Sequence, residues 1–270
     1  MSILTLTSYG TSPGVSTAAM AMALQWPRPV LLLEADVSKP STAVAGWLQG
    51  SMPADTGLMG VAHASFRQTV SEQDIWDYAV DITAPDTPAV ARWLMPAVAE
   101  PRAARSMRTF WPELMPVLRV ISDRDIDVVI DAGRLDEAHG REPLWREADH
   151  VGVMLRSDLV SVAAARAYLP EVLAARADLG AADTLSLLVV EDRAQQLASK
   201  DIATVLGASV RARLPYSPEA ASHYGGGARA AQLRLRSYNR AISAANASIG
   251  EALRTRRELI EKAEMKGAGL

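Results

Sequence analysis

Residues 2–36 read SILTLTSYGTSPGVSTAAMAMALQWPRPVLLLEAD, and this stretch decides the fold. Residues 2–8 are a short, mostly apolar run, which predicts a strand. Gly10-Thr11-Ser12-Pro13-Gly14-Val15-Ser16-Thr17 consists of small and turn-forming residues and predicts a tight loop. Residues 16–25 are almost wholly Ala, Met and Leu, so the helix they predict must be buried on most sides. Pro27 and Pro29 stop it. Residues 30–33 have no polar alternation, as in a strand covered on both faces, and Glu34 and Asp36 stand at its carboxyl end. Strand, loop, helix and strand make one βαβ unit. Its loop passes over the end of the first strand, where a helix N-terminus favours an anion.

Working outward, alternation continues along the chain. Residues 41–48 suit a short helix, residues 57–62 a small-residue loop running into a helix, and residues 71–77 (SEQDIWD) a capped helix start. Residues 84–88 predict a loop and 90–95 a short strand. Residues 101–119 predict a helix interrupted by Pro112 and Pro116. Residues 126–131 (IDVVID) are a buried strand ending in an acid. Further strands are predicted at 151–155, 185–190 and 210–214, with helices at 160–177 and from Ser199 to Gly207 between them. Gly225-Gly226-Gly227 reads as a flexible joint, and 229–266 as helical throughout. The expected fold is α/β, a doubly wound, mostly parallel sheet over 1–228, followed by a C-terminal helical extension over 229–270.

Composition narrows the function classes. The 270 residues hold 28 basic and 31 acidic side chains, a net charge of −3 that does not announce a nucleic-acid partner. The absence of cysteine excludes disulfides, thiolate metal sites and cysteine nucleophiles. His63, His139, His150 and His223 are scattered without metal-ligand spacing. The serines lack a nucleophile-elbow context. No run reaches the roughly 18–20 apolar residues of a membrane span, and no basic-then-apolar leader opens the chain. A soluble, cytoplasmic protein is expected.

With these landmarks in order, the chain resembles the deviant-Walker P-loop ATPases of the MinD and ParA family, and especially their CpaE/TadZ-like branch. The resemblance covers roughly residues 2–228. The family's loop is lysine-glycine-glycine-valine-glycine-lysine-threonine. With the Gly-Val pair kept in register, Ser12 stands at the signature lysine, Pro13 and Gly14 at two glycines, Ser16 at the third, Thr17 at the Walker lysine and Ala18 at the magnesium-binding hydroxyl. Shifted by one, Gly10 is the first glycine, Ser16 stands for lysine and Thr17 for the hydroxyl. Neither register restores a lysine. Asp36 matches the acid that positions the attacking water, and Asp131 the Walker B acid, with Gly133 in the switch turn. Glu191 and Asp192 replace the base-reading asparagine, and Leu214-Pro215-Tyr216 matches the turn beside the adenine.

The resemblance thus implies a nucleotide site at Gly10 to Thr17 with Pro215 and Tyr216, and Asp36 and Asp131 as catalytic acids. A working loop of this kind needs N–H groups, a lysine and a hydroxyl on Mg²⁺. Here Pro13 removes one N–H and no lysine is present, while two carboxylates repel a polyphosphate. ATP and Mg²⁺ binding is therefore expected to be weak or lost, unless Arg134, Arg141 or Arg156 supplies the cation. The implied role is a cytoplasmic scaffold or localisation factor for a pilus or secretion-type assembly, acting as a homodimer and recruited peripherally to a membrane-bound machine. Two alternatives stay open: a slow ATPase switch, and a partition protein binding non-specific DNA through Arg254, Arg256 and Arg257. The basic C-terminal segment suits docking to a protein partner better than a membrane, because its apolar stripe is thin.

Overall fold

The computed structural model describes residues 2–52, 56–66, 68–83, 90–97, 107–135, 140–191 and 196–267, with side chains through Leu259. The loop expected at 84–88, the start of the helix expected at 101–119, His139 and Asp192 lie outside the described residues.

The opening βαβ unit forms as read. Strand β1 (Ile3–Ser8) leads into helix α1 (Val15–Leu24) and back to β2 (Val30–Glu34). The chain continues through α2 (Leu58–Ser65), α3 (Glu72–Tyr78), β3 (Val80–Asp81) and β4 (Arg92–Met95). Next come α4 (Met107–Asp123), β5 (Asp127–Arg134), α5 (Glu142–Arg146), β6 (His150–Arg156) and α6 (Leu159–Asp178). It closes with β7 (Leu185–Glu191), α7 (Ser199–Leu206), β8 (Ser209–Pro215), α8 (Pro218–Tyr224) and α9 (Gln232–Gly267). The sheet order is β3-β4-β2-β5-β1-β6-β7-β8. Every pairing is parallel except that of β3 with β4.

The strands are apolar on both faces because both faces are covered. Leu31, Leu33, Val128 and Ile130 enter one buried cluster with α2, α3, α4, α6 and α7. Val30, Leu32, Leu4, Leu6 and Val129 enter the other, with α1, α8 and α9. Such burial favours the folded state at roughly 25 cal/mol per Å² of apolar surface. Helix α1 lies in the second cluster with seven buried residues, which is why it tolerates no polar face.

Three local readings change. Pro112 and Pro116 do not interrupt α4; the helix runs through both, held by the buried Phe110, Trp111, Leu114, Leu118 and Ile121. Residues 43–47 form a π-helical turn, Ala43–Trp47, and not an ordinary helix. The buried carboxylate of Glu34 anchors it, accepting bonds from Ser41, from Thr42 Oγ1 and from the Ala43 amide. The triple glycine is no free joint. A Cβ placed on Gly46 would lie 2.4 Å from the Gly225 carbonyl oxygen, so two backbones pack directly against each other there. Beyond it, Leu235, Tyr238, Ile242, Ala245 and Ile249 of α9 are buried in the same cluster as α1. The distal part of α9 is tied more thinly, by Arg256 to Asp183 at 2.5 Å.

Candidate functional site at the loop face

The loop between β1 and α1 sits at the carboxyl end of the parallel sheet. Four of its residues have positive φ: Gly10 (148°), Thr11 (55°), Ser12 (46°) and Gly14 (91°). For a β-branched residue that conformation is strained. Thr11 is held by its hydroxyl, 2.7 Å from Ser161 Oγ. Ser161 is fixed in turn by Asp158, which caps α6. Ser12, Pro13, Gly14, Val15, Ser16 and Thr17 line an open cleft of about 560 Å³. Asp36, Ser38, Lys39, Gly133 and Arg134 line its other side, with Gly225 and Gly226 at the rim.

The two acids singled out in the sequence come together here, but neither is free. Asp36 is bonded by Ser38 Oγ at 2.5 Å, by Lys39 Nζ at 3.2 Å and by Arg141 at 3.4 Å. Burial alone would raise its pKa; Ser38, Lys39 and Arg141 outweigh that and hold the carboxyl below its ordinary value. Asp131 lies beneath the cleft, 2% exposed. It accepts the Gly133 amide at 2.9 Å and a hydrogen bond from Ser16. Burial pushes its carboxyl up to about 6, against the lowering by Lys39 and Ser16 and with the repulsion of Glu34 and Asp36. Gly133 has φ +60°, and a Cβ there would lie 2.4 Å from Asp36. The backbone at Gly133 is thus moulded onto Asp36.

The arginines considered as replacement cations have separate jobs. Arg141 is fully buried and donates to the carbonyls of Ala132, at 2.6 Å, and Arg134. It staples the end of β5 and does not reach into the cleft. Arg156 lies over the Tyr216 ring, 5.6 Å from its centroid, and beside Asp158. Arg134 alone of the three lines the cleft, and it is exposed. β8 ends at Pro215, and neither Pro215 nor Tyr216 lines the cleft. Glu191 is engaged by Arg213 at 3.0 Å.

Lys39 is a cation of the cleft that the motif comparison does not point to. Its ammonium donates to Ser16 Oγ at 2.8 Å. Ser16 lies in the first turn of α1, so this bond joins the segment after β2 to the end of the loop. The spacing of Lys39, three residues after Asp36, was the available signal.

The burial of Asp131 has a measurable consequence. Its folded pKa lies above the ordinary carboxylate value of about 3.9, so the folded state holds its proton longer than the unfolded chain. This group's contribution is therefore most favourable below about pH 4 and is lost as pH rises through about 6. Asp131→Asn removes the titration. Relative to wild type it should gain about 2 kcal/mol between pH 4 and pH 8 in urea unfolding. A difference that stays constant with pH would show that Asp131 is not a strained buried acid.

No protein-family model and no curated protein matches the sequence. Solved structures do, and they show the fold: it is that of the MinD and ParA P-loop ATPases. The Aquifex aeolicus MinC:MinD cell-division complex superimposes with a TM-score of 0.67 at 16% identity, covering 93% of this chain and 96% of that one. A Cyanothece McdA–ATP complex gives 0.67 at 15%, covering 94% and 96%. The septum site-determining protein MinD of Pyrococcus horikoshii with Mg-ADP gives 0.65 at 11%, covering 91% and 94%. Nucleotide and Mg²⁺ are thus at home on this fold. In this chain the residues fit them poorly. The loop lacks lysine, and both acids are already bonded within the protein. No helix among those residues is long and apolar enough to cross a membrane.

Proposed function

We propose that this chain is a non-hydrolysing protein of MinD/ParA fold, kept for its surfaces as a scaffold or localisation factor. The observation that carries this reading is that Asp36 and Asp131, the acids that would position water and metal, are consumed by contacts to Lys39, Arg141, Ser38, Ser16 and the Gly133 amide. A carboxylate offers about four acceptor sites, and those of Asp36 are taken by the Ser38 amide and hydroxyl, Lys39 and Arg141. The protein docks to protein partners, and by the CpaE/TadZ-like resemblance these belong to a pilus or secretion-type assembly to which it is recruited from the cytoplasm. It pairs with a second copy through the loop face. Leu159, Val160 and Tyr216 support this, being 64%, 69% and 47% exposed at the carboxyl end of the sheet.

The test is phosphate release by the full chain with ATP and Mg²⁺. The proposal expects no release above the protein-free background. Lys39 beside Ser16 favours one second reading, a slow ATPase with a lysine borrowed from outside the loop. That reading requires release that disappears in Asp36→Ala and Asp131→Ala.

A further inference from the structure

The poor fit to a metal has a specific structural cause. Ser16 Oγ, Asp36 and Asp131 are hard oxygen donors of the kind a Mg²⁺ ion takes. Ser16 and Asp36 converge on one cation that the chain itself supplies, and Asp131 joins them through Ser16. Lys39 Nζ is 2.8 Å from Ser16 Oγ and 3.2 Å from Asp36 Oδ2, and its charge lowers the Asp131 carboxyl, which Ser16 links to it by a hydrogen bond. The ammonium has three donors. Two are spent on these contacts, and the third has no partner among the described residues. The side chain is 38% exposed, so the contact is at the cleft wall and not sealed inside the core.

We infer that Lys39 is the resident counter-cation of the loop cleft, taking the place of a divalent metal at Ser16, Asp36 and Asp131. Like charges a few ångströms apart repel strongly at the effective dielectric of a protein surface. A divalent ion therefore enters only if the lysine leaves. The reverse also holds: without Lys39, Asp36 and Asp131 keep only the buried Arg141 and the more distant Arg134 of the cleft wall as compensation, and the cluster becomes attractive to a cation. Lys39 also joins the turn after β2 to the first turn of α1. The two sides of the cleft are therefore held together by the chain's own charge. An anion that enters meets Lys39 and Arg134 directly, with no metal between. The inference concerns the cleft alone and holds whichever partner the protein docks to, so it fails separately from the scaffold reading.

The experiment is Mn²⁺ titration of the full chain, followed by electron paramagnetic resonance of the free ion, with Mg²⁺ as competitor and no nucleotide present. The wild type should show no saturable site below millimolar Mn²⁺. Lys39→Met should gain one site per chain, tighter by about tenfold or more. Adding Asp36→Asn to that variant should remove it, and Lys39→Arg should behave as wild type. If Lys39→Met does not fold, Lys39→Gln serves in its place, since it keeps a polar group for Ser16 without the charge. A single sub-millimolar site in the wild type would overturn the inference. So would a folded, uncharged variant that takes up no more Mn²⁺ than wild type.

Discussion

Replacing Arg141 with methionine should cost about 3–5 kcal/mol of unfolding free energy, the range for removing one partner of a buried ion pair. Methionine nearly matches the arginine stem in bulk, so the loss is one of charge and hydrogen bonds. The side chain is fully buried and spans from the end of β5 to Asp36. It donates to the Ala132 and Arg134 carbonyls, which flank Gly133 at the end of β5. Without it these carbonyls lack their donor, and Asp36 keeps only Lys39 as a counter-ion. A double-mutant cycle separates the two losses. If the pair to Asp36 matters, Arg141→Met with Asp36→Asn should be less destabilised than the sum of the single changes, by about 0.5–3 kcal/mol. Urea unfolding of the four proteins reads this directly. A change within about 0.5 kcal/mol, as at ordinary surface sites, would mean that Arg141 does not tie the turn.

The second large effect is expected at Gly46. Alanine there would place its Cβ 2.4 Å from the Gly225 oxygen, 2.6 Å from the Gly225 carbonyl carbon and 3.0 Å from the Gly227 nitrogen. All three atoms are backbone, so no rotamer change relieves the overlap. Overpacking of this kind costs about 1–3 kcal/mol, and the upper end applies where neither side can yield. The damage should be local first. Trp47 is stacked on Tyr224 and meets His223 edge-on, so its fluorescence should change and the amides of α8 should exchange faster. A neutral Gly46→Ala, with Trp47 undisturbed, would restore the triple glycine to the free joint that its composition suggested.

These two sites show where sequence reading stops. The doubly wound sheet was legible because its cause is local. Apolar runs such as 30–33 and 128–130 have no polar alternation, and their shortness and flanking turn residues favour a strand covered on both faces over a buried helix. Asp36 and Asp131 were legible because each closes such a run. What the sequence does not display is which side chain crosses a gap. Arg141 lies 105 residues from Asp36 and bonds it, and nothing in its neighbours distinguishes it from Arg134 or Arg156. Gly225 to Gly227 looks flexible by composition, yet its smallness serves a close backbone contact with Gly46. Pro112 and Pro116 read as breaks, but tertiary burial of α4 outweighs the lost hydrogen bonds. Lys39 was visible beside Asp36, but only the folded loop brings its ammonium to Ser16.

The measurement that bears most directly on a MinD/ParA fold without a nucleotide cycle is phosphate release under single-turnover conditions, with the chain in excess over ATP and Mg²⁺ present. Borrowed catalysis too slow for a steady-state assay would still appear there. Release should be no faster than in buffer and unchanged by Asp131→Ala. Release above buffer that is lost in both Asp36→Ala and Asp131→Ala would contradict this and make the cleft an active site.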